Sequence, residues 1–228
     1  MNNPQLRRPS DESLQRFLDA QRGLVFTYES VGGTAPRGEL PAGYAVDRLS
    51  VELGRGGELF EAARRGIEAW TQFDLGWCEA WPRESPIRSG EVVAVVARSL
   101  GLWWTNATRI AYVVDEGGEE TLSSDLPLRS GIPPLAPPFE GEGSRARFGF
   151  AYGTLPGHVE MGEELFLVEW DRVTDAVNYS ILAFSRPRHP LARIGRPLVR
   201  RLQRRFREDS AAAMLRYVKN AAQSTKRG

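Results

Sequence analysis

The chain has 228 residues, and its 41% hydrophobic and 26% charged content is that of a folded domain, which excludes wholesale disorder, collagen-like repeats and a disulfide scaffold. Its 30 basic and 29 acidic residues leave a formal charge of +1, so strong nucleic-acid binding is not expected. Cys78 is the single cysteine, which rules out an intrachain disulfide or a thiolate cluster and points to a reducing, cytoplasmic setting.

The stretch Met1–Pro9 is polar with no apolar run behind it, so no secretory signal is expected. Ser10–Gln21 is predicted as a short helix: Ser10 is the N-cap, Asp11 and Glu12 occupy the first turn, and Leu14, Phe17 and Leu18 fall at helical spacing. Leu24–Glu29 has strand composition, after which Gly32, Gly33, Pro36, Gly38, Pro41 and Gly43 mark an irregular stretch. Tyr44–Leu53 alternates imperfectly as a strand and ends at the turn Gly54-Arg55-Gly56-Gly57. A helix follows over Glu58–Trp70, with Leu59, Phe60, Ala63, Ile67 and Trp70 on one side.

Strands are expected at Asp74–Ala80, Glu91–Ser99, Thr108–Asp115, Arg145–Thr154, Glu163–Trp170 and Ala176–Phe184. The longest apolar run, Val92–Ala97, is far too short to be a transmembrane segment. Short connections make the sheet antiparallel, except that residues 117–143 form a Pro-rich loop with little regular structure. The last element is a helix that begins after Pro190, resets at Pro197 and runs to Ala221, with Leu198, Leu202, Phe206, Ala213 and Tyr217 in one arc. This order predicts an α+β fold in which a curved antiparallel sheet of about six or seven strands wraps around a long C-terminal helix. The expected organisation is an N-terminal helical segment over 1–23, a single domain over 24–222 with the Pro-rich insertion at 117–143, and a disordered tail over 223–228.

The most specific stretch is Arg147 to His158. Phe148, Phe150, Tyr152 and Thr154 alternate with Gly149, Ala151 and Gly153, so one sheet face is aromatic and the other nearly bare. Leu155-Pro156-Gly157-His158 then reads as a type II turn. The bare face admits a close backbone or a ligand, or it permits curvature with the aromatics as core.

The segment Gly149-Phe150-Ala151-Tyr152-Gly153-Thr154-Leu155-Pro156-Gly157-His158, with Gly162-Glu163-Glu164 and Phe166, Ala183-Phe184-Ser185-Arg186-Pro187, and Gln203-Arg204-Arg205-Phe206, resembles the domain-of-unknown-function family nineteen-ninety. Leu40-Pro41-Ala42-Gly43-Tyr44, Leu102-Trp103 with Asn106, and Arg109 leading into Tyr112-Val113-Val114-Asp115 extend the resemblance over most of Phe26 to Phe206. It implies kinship with the Bet v 1 and START-like helix-grip proteins, whose sheet closes over a C-terminal helix around an apolar cavity. It implies no activity and carries over no catalytic residue. The Pro-rich loop departs from the family pattern, in which the Tyr-Val-Val-Asp strand passes quickly into the glycine-rich one.

Three functions follow as expectations. The first is a small apolar or amphipathic molecule bound in a helix-grip cavity, with Trp103, Tyr112, Phe150 and Tyr152 as its wall; Trp104, next to Trp103, faces the other way on an extended strand. The second is a cyclase, isomerase or hydrolase using His158 with Glu160 or Glu164, against the plainer alternative of a solvated acidic hairpin tip whose His158 caps the turn and has its pKa raised by the neighbouring acids. The third is a scaffold or interaction protein with a filled core. Oligomeric state is left open. Cys78 is expected to be an inert thiol, and the stripe Arg196, Arg200, Arg204 and Arg207 to be solvated or paired within the chain with the acidic hairpins around Glu163 and Asp171.

Neither His158 nor His189 stands at metal-ligand spacing from other donors, so neither metal nor cofactor is expected. Excess chelator should therefore leave the melting temperature unchanged. A fall of several degrees, reversed by added zinc or calcium, would refute this.

Overall fold

A computed structural model of the chain describes residues 4–117, 144–188 and 196–225. The Pro-rich loop and His189 lie outside these residues. The described elements are α1 (Asp11–Gln21), β1 (Ala45–Arg55), α2 (Gly57–Glu68), a 3-10 turn (Thr71–Phe73), β2 (Cys78–Trp81), β3 (Val92–Ser99), β4 (Leu102–Glu116), β5 (Arg145–Thr154), β6 (Glu160–Asp171), β7 (Ala176–Pro187) and α3 (Arg196–Thr225). The strands form one antiparallel sheet in the order β1-β7-β6-β5-β4-β3-β2, so the α+β layout read from the sequence is the observed one. No helix among the described residues is long and apolar enough to cross a membrane.

The sheet is covered on both faces. On the concave face, α2, the 3-10 turn and α3 bury Phe60, Ile67, Phe73 and Met214 against Phe148, Phe150, Phe166 and Tyr179. On the convex face, Leu14 and Leu18 of α1 pack on Val92, Ala94, Val96, Ala107 and Leu155. Because Val93 and Val95 enter the first core and Val92, Ala94 and Val96 the second, β3 is apolar at every position from Val92 to Ala97. Ser10 caps α1 by accepting the Ser13 N–H, as the spacing predicts.

Several boundaries differ from expectation for local reasons. Leu24–Glu29 is no strand: only Thr27 donates its N–H to Thr154 at 3.0 Å, and Tyr28 turns inward. Helix α2 ends at Glu68, because Trp70 adopts a left-handed conformation (φ 55°) and its indole donates to the Ser85 carbonyl at 2.8 Å. The 3-10 turn and positive-φ Gly76 then delay β2 to Cys78, in place of the strand expected from Asp74. Strand β4 begins at Leu102, six residues early, since Trp103 and Trp104 pair with Arg98 and Ala97 of β3. Helix α3 continues to Thr225, so residues 223–225 are helical; the rest of the expected tail lies outside the described residues.

The bare face of β5 is occupied by the chain's own loop. A Cβ on Gly153 would lie 2.0 Å from the Tyr28 hydroxyl, so only glycine leaves room for that ring. Tyr28 donates to Glu163 Oε2 at 2.7 Å, and Gly32 N donates to the same oxygen at 2.7 Å. Thr34 donates to Oε1 through its N–H at 2.9 Å and its hydroxyl at 2.6 Å. Gly153→Ala must push Tyr28 away from Glu163, combining overpacking with a lost hydrogen bond to a buried carboxylate. A stability loss of about 3 kcal/mol is expected in urea unfolding; a loss under about 1 kcal/mol would show that the loop yields freely.

Candidate functional site

The concave face carries a polar cluster under the first turns of α3. Alternation places Glu160 and Glu164 of β6 on this face, opposite in sense to Glu163. The Gln203 side-chain amide donates to Glu160 Oε2 at 2.6 Å and to Ser185 Oγ at 3.1 Å. Asp47, at the start of β1, accepts from both Arg200 and Arg207, the latter at 3.2 Å. Tyr152 donates to Glu164 Oε2 at 2.7 Å, and Tyr179 and Ser210 share a hydrogen bond at 2.8 Å farther along α3.

Between α3 and the ends of β1, β6 and β7 lies a hollow of about 40 Å³, lined by Gly43, Ala45, Glu160, Ser185, Arg200 and Gln203 among others. Beyond it the space fills with rings. Phe73 lies 5.2 Å from both Phe166 and Phe206, and Phe166 lies 5.5 Å from both Phe150 and Tyr152.

Burial sets the electrostatics. It pushes the Glu164 carboxyl up to about 7, with Asp47 and Glu160 adding to the rise while the Tyr152 hydrogen bond and Arg207 oppose it. Glu160 is also raised by burial, against the pull of Ser185, Arg200 and Gln203. Burial raises the Cys78 thiol, which keeps it protonated and inert.

The residues singled out from the sequence fall into two sets. Phe150 and Tyr152 lie on the concave face with Glu160 and Glu164. Trp103 packs with α1 on the convex face, and Tyr112 lies there too, donating to Thr34 Oγ1 at 2.8 Å, since that hydroxyl already donates to Glu163. Trp104 pairs with Ala97 and so takes the concave side. His158 caps its turn: its N–H donates to the Leu155 carbonyl at 2.9 Å, and its Nδ1 accepts the Glu160 N–H at 3.0 Å. Burial lowers its pKa to about 4, the reverse of the expected rise, and the neighbouring carboxylates point to other partners.

The acidic hairpin is not a solvated tip either, because Glu163 is 2% exposed and Glu160 and Glu164 lie beneath α3. Arg200 and Arg207 pair within the chain as expected, but with Asp47 and not with the hairpins around Glu163 and Asp171. Asp47, Ser185 and Gln203 were missed as site residues. Ser185 and Gln203 stand in two of the segments that carried the family resemblance, and that signal was available to find them. Asp47 is one charge in an alternating strand and gave no local signal.

Raising the folded pKa of Glu164 from 4.5 to about 7 makes the folded state hold a proton that the unfolded chain releases. The favourable contribution is complete below pH 4.5 and is lost as pH rises through 7. Glu164→Gln removes this dependence. The stability of the variant relative to the parent should rise between pH 5 and pH 8, on the order of 2 kcal/mol. Parallel pH profiles for the two proteins would contradict the assignment.

The model of the family described as "Domain of unknown function (DUF1990)" matches residues 27–213. A UPF0548 protein from Dictyostelium discoideum is 33% identical over 226 residues, covering 93% of this chain and 94% of that protein. UPF0548 proteins from Arabidopsis thaliana and Deinococcus radiodurans are each 28% identical over 221 residues, covering 92% of this chain and 95% and 96% of theirs. Among solved structures, Ara h 8.0201 aligns with a TM-score of 0.43 at 11% identity, over 78% of this chain and 99% of its own. Human STARD10 aligns with a TM-score of 0.44 at 12% identity, over 97% of this chain and 86% of its own. With the family match spanning all seven strands, α2 and the first part of α3, the chain belongs to the DUF1990 family.

Proposed function

We propose that this protein binds a small amphipathic molecule at the open end of the grip. Glu160, Ser185, Gln203 and Arg200 take its polar end, and Tyr152 and Phe206 receive its apolar part. The observation that carries this reading is the contrast along α3. Its first turns are held by Arg200 on Asp47 and by Gln203 on Glu160 and Ser185, whereas Ser210, Met214 and Val218 farther along are fully buried. Polar contacts of the first kind exchange for water or ligand at a net cost of only about 0.5–1.5 kcal/mol each. A hollow of about 40 Å³ is small beside the roughly 300–1,000 Å³ of an ordinary ligand pocket, so admission requires the first turns of α3 to lift. Phe150 backs Tyr152 as wall, while Trp103 and Tyr112, on the other face, take no part. The buried free thiol of Cys78 supports a reducing, cytoplasmic setting.

A second reading, acid/base catalysis in the same space, is favoured by the Tyr152–Glu164 pair and the near-neutral titration of that carboxyl. His158 has no part in it, since its ring is committed to the turn.

A native mass spectrum of gently purified protein should show a retained small molecule. Gln203→Trp, which fills the hollow and removes both amide hydrogen bonds, should abolish retention while the protein still unfolds cooperatively. Absence of any adduct, with no thermal stabilisation by a panel of alkyl amines, alcohols and carboxylates, would leave the filled-core scaffold as the surviving reading. If Glu164→Gln keeps the molecule but no longer converts it, the catalytic reading takes precedence.

A further inference from the structure

Strand β1 runs for eleven residues along one margin of the sheet, paired with β7 on one side and with no strand on the other among the described residues. A long unpaired edge is a template for another strand, and proteins ordinarily shorten it, cover it or place charges against pairing. The charges on β1 favour a partner of one kind. Its convex-facing residues Val46, Arg48, Ser50 and Glu52 are exposed, and Arg48 makes no ion pair among the described residues. Among the described residues Glu52 reaches only Arg55, at 3.8 Å, with both side chains more than half exposed.

We infer that β1 pairs antiparallel with β1 of a second copy of this chain about a two-fold axis at Ser50, joining two seven-stranded sheets. In that register each Arg48 opposes the partner's Glu52, twice by symmetry, and Ser50 opposes its own counterpart on the same face. On the concave face, Leu49 opposes Val51, and both are only partly buried within one chain. Opposite-charge and aliphatic cross-strand pairs are the ones that stabilise antiparallel ladders. The irregularity between Glu52 and Gly54 falls at the end of the paired stretch, where it terminates pairing without interrupting it. A slip by one residue would bring convex residues opposite concave ones, so alternation and charge select the same register. The contact is isologous and closes at two copies, which protects the edge from open-ended growth.

Sedimentation velocity across a concentration series tests the pairing. The parent chain should sediment as a dimer that dissociates on dilution. Arg48→Glu and Glu52→Arg each place like charges opposite one another at two positions, and each should weaken the dimer by about tenfold or more. The double swap Arg48→Glu with Glu52→Arg should restore it, and an equal mixture of the two single variants should form a heterodimer. Both side chains are exposed, so the melting curves of the variants should match that of the parent at a dilution where the parent is itself dissociated. A chain that stays monomeric at every concentration would overturn the inference, as would a dimer indifferent to the reversals or a double swap that fails to rescue.

Discussion

A carboxylate with almost no access to water organises this protein. Burying Glu163 would cost several kcal/mol if its oxygens lacked donors, and among the described residues no strand supplies them. They come from Tyr28, Gly32 and Thr34, in a loop without regular structure, so the carboxylate fixes a segment that has no ladder of its own. That segment leads directly into Gly43 and Ala45, which line the hollow, and then into Asp47, which anchors α3. The position of the candidate site therefore traces back to a hydrogen-bonded charge on the opposite face of the sheet.

Two adjacent glutamates have different fates because a strand sends successive side chains to opposite faces. Glu163 meets a loop that offers four donors, two backbone N–H groups and two hydroxyls. Glu164 meets Tyr152 and a mixed set of charges, and its carboxyl titrates near 7. A satisfied carboxylate is a structural fixture, whereas one whose ionised form is disfavoured by burial responds to whatever enters beside it. The family segment Gly-Glu-Glu thus couples the two layers through neighbouring residues.

The fold was legible where periodicity is strict. The alternation of β5, the capped α1 and the Arg-rich helix α3 carry their own patterns, and their order implies a sheet wrapped on a terminal helix. Elements whose form depends on distant contacts were not legible. Nothing around Trp70 announces a left-handed residue, which is held by an indole reaching the Ser85 carbonyl. Leu24–Glu29 has strand composition, yet Tyr28 leaves the strand path because Glu163 lies 135 residues away to receive it. At the site, aromatic type alone does not tell which face of a sheet a residue occupies. Trp103 and Tyr112 were separated from Phe150 and Tyr152 by strand register alone. Local sequence leaves the acidic cluster open between a solvated tip and an acid/base site, because its partners, Gln203 and the arginines of α3, come from a separate element.

The packed interior also constrains what the grip can hold. Phe73, Phe150, Phe166 and Phe206 already occupy the space between sheet and helix, and displacing even one large ring would forfeit several kcal/mol of burial and contact. Detaching the first turns of α3 asks for much less, because Arg200 and Gln203 can keep hydrogen bonds to water when they leave Asp47, Glu160 and Ser185. The cheaper opening lies at the polar end, so a molecule admitted there meets hydrogen-bonding groups before it meets rings. In the proposed binding role, recognition at such a mouth selects first on polar geometry and only then on apolar length. This is the opposite order to that of a deep greasy cavity, and it follows from where the chain placed its aromatic residues.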